Sequence, residues 1–129
     1  MTDQQTTAEN AHDAALAAAE AIRTLNHLTS QKGWAENRPG DVSAVASSLL
    51  RLAERLPQTL TQLYTELDRL DQDDAIRMDD GREPAVAAGQ TLAGIERTRA
   101  FAEQMRSALT TVASNLDHMG GHFIDDEEN

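Results

Sequence analysis

The sharpest chemical signal in the chain is a pair of histidines four residues apart, His118 and His122. That spacing would put two imidazoles on one face of a helix, as in zinc sites built on helices. Gly120 and Gly121 fall between them, where a helix most readily stops, so His118 and His122 are weak metal candidates and no metal centre is expected. His12 and His27 read as solvent-exposed. A cluster of acids, Asp71, Asp73, Asp74, Asp79 and Asp80, invites a calcium reading. A calcium loop of the EF-hand kind needs acids at alternate positions, then glycine, then glutamate at the twelfth place. Counted from Asp71 the pattern fails, because Ala75 and Ile76 hold the fifth and sixth places. The cluster reads as a solvated connector.

Nucleophilic catalysis needs a hydroxyl beside a base, with a third group orienting that base. Serines and threonines are scattered here along helical stretches, with no nucleophile elbow and no glycine-rich phosphate loop. No catalytic constellation emerges, so the chain is expected not to be an enzyme and to need no cofactor. Cysteine is absent, which removes disulfides and thiolate metal sites.

Charge narrows the partners. The formal net charge is -11, which weighs against binding to nucleic acid or to an anionic membrane. Arg51 and Arg55 lie one turn apart, yet Glu54 stands beside them, and Glu96 and Glu103 stand beside Arg99 and Arg106. Intrahelical pairing is the expected use of these arginines. No apolar run approaches the ~20 residues of a membrane span. The polar, acidic start MTDQQTTAENAHD is unlike a secretory signal. A cytoplasmic location is expected.

The elements that would position any site are helices. Val42, Val45, Leu49, Leu52, Leu56, Leu60, Leu63, Leu67 and Leu70 recur at steps of three and four, which places them on one face of a helix over residues 41–70. Two consecutive steps of four, Leu52 to Leu56 to Leu60, form a stutter. Pro57 falls inside it and has no N–H for the Ala53 carbonyl, so a kink or break is expected there. Asp41 reads as the N-cap. A stripe of that length requires at least two other helices to cover it. A first helix over about 8–30 presents Ala11, Ala15, Ala18, Ile22 and Leu25 on one face. A third over 84–118, opened by Pro84, carries Leu92, Ile95, Ala102, Met105, Leu109, Val112 and Leu116. Gly89 and Gly94 weaken its first half and would let a neighbour come close.

The expected fold is all-α, an up-down-up antiparallel bundle of three long helices, counted as four if Pro57 breaks the middle one. Residues 1–119 would form one domain, with an acidic tail over 120–129 that contains Asp125 and Asp126. Leu, Ile, Val and Phe total only 24 of 129 residues, just under the ~20% at which a charged chain risks disorder. Sharing a core between two copies would relieve that shortage.

Two phrases, LNHLTSQKGW…RPGDV (residues 25–42) and LLRLAERLPQTLTQL (residues 49–63), resemble small Ala- and Arg-rich helical proteins of actinobacteria, some of them found with mobile-element genes. The resemblance covers roughly the first half of the chain. It implies a helical, cytoplasmic bacterial protein and carries no catalytic residue over.

The leading functional expectation is therefore a non-enzymatic helical protein–protein interaction module, self-associating as a homodimer through an apolar helix face. Trp34, Leu50, Leu60 and Tyr64 are its expected contact residues. Trp34, the only tryptophan, would otherwise plug one end of the bundle. The first alternative is an acidic regulatory or DNA-mimic protein that offers residues 71–83 and the tail to a basic partner. The second is a helical bundle that binds a ligand or metal.

Overall fold

A computed structural model describes residues 10–30, 34 and 39–120. The protein is all-α: α1 spans Ala11–Leu28, α2 Pro39–Gln72 and α3 Pro84–Asp117. The chain divides into two compact units, Met1–Asn37 and Arg38–Asn129. The first contains α1 and the second contains α2 and α3.

Helix α1 begins at Ala11, three residues later than the apolar pattern indicates, because Asn10 caps it. The Asn10 Oδ1 accepts from the Asp13 backbone N–H at 2.8 Å, satisfying one of the four free donors of the first turn. At the other end the Thr29 N–H and hydroxyl both donate to the Leu25 carbonyl. Gly33, a residue type suited to a helix stop, lies outside the described residues. No residue of α1 is buried.

Helix α2 starts two residues earlier than expected. Pro39 occupies the first turn, where its missing N–H costs nothing, and Asp41 lies inside that turn rather than at the cap. Pro57 does not break the helix, which runs through it as one 34-residue element. The flanking Leu, Ala, Arg and Glu residues have high helix propensity, and packing along α3 adds to it. Past Gln72 the chain leaves through a left-handed residue, Asp74, at φ 56°. The Ala75 N–H returns to the Leu70 carbonyl at 2.9 Å, which closes a Schellman-type end with aspartate where glycine is usual. Gly81, at φ 84°, makes the second left-handed turn before Pro84.

α2 and α3 form an antiparallel hairpin. The Ser43 hydroxyl, at the start of α2, donates to Asp117 Oδ1, at the end of α3, at 3.0 Å. Leu56 and Leu60 share a groove with Phe101 and Met105 near the middle of both helices. The contact seam of α2 is Ser43, Ala46, Leu50, Ala53, Pro57, Leu60, Tyr64, Leu67 and Asp71, at alternating steps of three and four, and none of these is exposed. The seam of α3 is Ala88, Leu92, Ile95, Arg99, Ala102, Arg106, Leu109, Ala113 and Leu116, again with none exposed. Strict alternation of three and four is the signature of coiled-coil packing.

This corrects the single leucine stripe expected over 41–70. The most buried positions between the helices are alanines: Ala53 is 0% exposed and Ala46 7%. Opposite them, Ala87, Ala88, Ala102 and Ala113 are buried along with Leu92 and Ile95. The stripe combines two seams. Leu60 and Leu67 belong to the one that meets α3, whereas Val42, Leu49, Leu56, Leu63 and Leu70 lie one residue earlier in the heptad. The stutter at Leu52–Leu60 is the point where the stripe crosses between them. Leu49, Leu56 and Leu67 are half-buried, but Leu63 is 54% exposed. Helix α3 divides in the same way, with Met105 and Val112 exposed beside a covered Leu109 and Leu116.

Candidate interaction surface

One residue back along a helix is a turn of about 100°. In each helix the second apolar seam is offset by one residue from the first, in the same sense of chain direction. Because α2 and α3 run antiparallel, the two offsets turn toward the same side of the hairpin. The outcome is a two-helix slab with one apolar face. Val42, Val45, Leu49, Leu52, Leu56 and Leu63 come from α2, and Phe101, Met105, Ala108 and Val112 from α3. The opposite offset leads to a polar back that carries Arg51, Glu54, Gln58 and Asp68 on α2 and Glu96, Glu103, Ser107 and Thr110 on α3.

At the centre of the apolar face is a groove of about 290 Å³, lined by Leu56, Leu60, Thr98, Phe101, Ala102 and Met105. The Thr98 hydroxyl donates back to the Gly94 carbonyl at 2.8 Å, which leaves its methyl for the groove. Phe101 stands beside the groove at 62% exposure, the highest value among the large apolar residues described. An aromatic ring left in water forgoes a large part of the apolar stabilisation it can supply.

Of the expected contact residues, Leu50, Leu60 and Tyr64 follow the α3-facing seam and are half-buried. Trp34 is half-buried in the other unit, where its backbone N–H donates to the Ser30 carbonyl at 3.0 Å. Sequence reasoning passed over Phe101, because it falls between the α3 positions selected as one stripe. The readable signal was the run Phe101, Met105, Ala108, Val112, a second set of three- and four-residue steps.

The polar candidates are spread over the surface. Among the described residues no polar or charged side chain is buried, and no three metal-ligating groups converge. His118 is exposed, and its backbone N–H donates to the Asn115 carbonyl at the end of α3. His122, Asp125 and Asp126 lie outside the described residues. Asp71 is half-buried at the end of the α2 seam, while Asp73, Asp74, Asp79 and Asp80 are exposed. Two of these acids are neutralised locally: Asp73 accepts from Arg69 at 3.1 Å and Asp80 from Arg82 at 2.8 Å. The Arg82 backbone N–H and then its guanidinium hold the Asp80 carboxyl below its ordinary pKa. The hydrogen bond from Arg69 does the same for Glu66.

The i,i+3 pairs Glu20–Arg23, Glu96–Arg99 and Glu103–Arg106 all form. Among the described residues, Glu54 makes no such pair with Arg51 or Arg55. No described helix is long and apolar enough to cross a membrane. Comparison with family models, curated proteins and solved structures finds no match for this chain.

Proposed function

We propose that this protein is a non-enzymatic helical interaction module that works by docking the apolar face of its α2–α3 hairpin onto another protein. The observation that carries the reading is Phe101, 62% exposed beside an apolar groove, at the centre of a face that spans both helices. Aromatic side chains that can fill a pocket dominate binding energy at protein interfaces. The face is uncharged apart from Glu66 near its loop end, so it would select a partner by shape and burial. An acidic mimic of nucleic acid is less well supported, because Arg69 and Arg82 already engage Asp73 and Asp80 in the segment that would have to present the charge.

The test is site-specific photocrosslinking in cells. A photoreactive phenylalanine analogue in place of Phe101 should give discrete covalent protein adducts. The same group in place of Ser107, on the polar back, should give none. Absence of adducts at both positions would remove the reading.

A further inference from the structure

We propose that the occupant of this face is a second copy of the same chain, laid face to face about a two-fold axis that crosses the midpoints of α2 and α3, so that the two α2–α3 loops point in opposite directions. The inference rests on the reading of the face as a docking surface and names its partner.

Area comes first. Two 34-residue helices are each about 50 Å long at ~1.5 Å per residue. With axes ~8–10 Å apart, they present a face of roughly 1,000 Å². Stable interfaces bury about 800 Å² per partner. A second hairpin therefore matches the face in length and width. The chain's own α1, with 18 residues, is about 27 Å long and could cover only about half of it.

Symmetry comes second. In a two-fold dimer, a feature on the axis meets its own copy, and a protruding group beside a hollow becomes self-complementary there. Phe101 sits at the midpoint of α3 and Leu56 at the midpoint of α2. The exposed ring and the groove it borders thus lie where the axis crosses, so each ring can enter the other copy's groove.

Relief decides the direction. On this face the free-end half of α3 is thick, with Met105 39% and Val112 43% exposed. The loop-proximal half is thin, with Thr91 and Gly94. Gly94 has no role inside the hairpin, since a Cβ built on it would meet nothing within 4 Å, although glycine in a helix costs up to ~1 kcal/mol relative to alanine. With the loops pointing apart, α3 lies antiparallel along its copy about Phe101, so Met105 and Val112 of one chain fall over Thr98 and Thr91 of the other, and Ala108 falls over Gly94. With the loops together, those bulky groups would meet Leu52 and Val45 instead, thick half on thick half.

The experiment uses the full chain, which contains no cysteine. A spin label on Arg77→Cys, in the loop, reports the loop-to-loop distance by pulsed electron resonance, and sedimentation equilibrium reports the mass. The expected result is a reversible dimer with labels about 50 Å or more apart, the length of the helices. Gly94→Leu should weaken association about tenfold or more through overpacking at the interface, with helix content unchanged by circular dichroism. Phe101→Glu should do the same and guards against any side effect of the first variant. A dimer with labels under about 25 Å apart would overturn the arrangement. A monomer would overturn the second copy as occupant; crosslinks from position 101 to other proteins would then leave the docking reading standing, and their absence would remove both.

Discussion

Replacing Ala53 with leucine separates two accounts of what holds this hairpin together. If the leucines of α2 formed the contact, an added leucine on the same helix would lengthen the apolar stripe and stabilise the protein. In the structure Ala53 is the most enclosed residue described, at 0% exposure. It lies in the seam that meets α3, beside the position where Pro57 interrupts the helical hydrogen bonds. Three extra carbons there enter a site that is already fully enclosed. Overpacking of this kind costs about 1–3 kcal/mol. In a unit of this size each kcal/mol lowers the midpoint of thermal unfolding by roughly 4–8 °C, so Ala53→Leu should melt about 5–20 °C below the parent. Ala44→Leu, the same change at an exposed site on the same helix, should stay within about 0.5 kcal/mol. Urea titration followed by far-ultraviolet circular dichroism measures both. Several protein concentrations are needed, because association adds to apparent stability. An Ala53→Leu variant as stable as the parent, or more so, would refute an alanine-spaced seam.

Pro57→Ala should stabilise the protein, by up to about 3 kcal/mol in urea titration, since it restores an N–H for the Ala53 carbonyl in a helix that is already continuous. Gly89→Ala should add up to about 1 kcal/mol, because a Cβ there meets nothing within 4 Å and the helix gains the better former. The Asp80 carboxyl, held low by Arg82, should titrate in NMR below an ordinary aspartate, and Arg82→Ala should move it part of the way back. Its folded pKa is depressed, so its contribution to stability is present above the unfolded-state pKa and is lost as pH falls through the folded value. The site is fully exposed, so solvent screening keeps the effect on unfolding small.

The periodicity of the sequence located α2 and α3 to within two residues at each end, because apolar spacing and first-turn prolines are local signals that packing did not override. It also predicted the ion pairs Glu96–Arg99 and Glu103–Arg106, since i,i+3 neighbours meet on any helix. It did not separate the two seams of each helix. Tracing only large apolar residues merges them, because the positions that meet across the hairpin, Ala46, Ala53, Ala102 and Ala113, are too small to register as core. Phe101 was overlooked for the complementary reason: it is large, but it falls outside the face that Leu92, Ile95 and Leu109 define. At Pro57 the local chemistry allowed a kink or a break, and the helix does not break, because an element packed along its whole length can carry one missing hydrogen bond. The start of α1 depended on a single asparagine side chain, which an alanine-rich pattern does not indicate.

The polar back of the hairpin has a consequence for the size of the proposed assembly. Were two slabs to stack as proposed, the outward side of each α2–α3 hairpin would be the one that carries Arg51, Glu54, Glu96 and Glu103, which offers no apolar seam to a third copy. A molecule sticky on both sides would keep adding layers and end as a filament; one sticky on a single side closes after one event. In the proposed pair Arg51, Glu54, Glu96 and Glu103 would act as caps, and replacing them with leucines would be expected to turn a finite pair into an open-ended polymer.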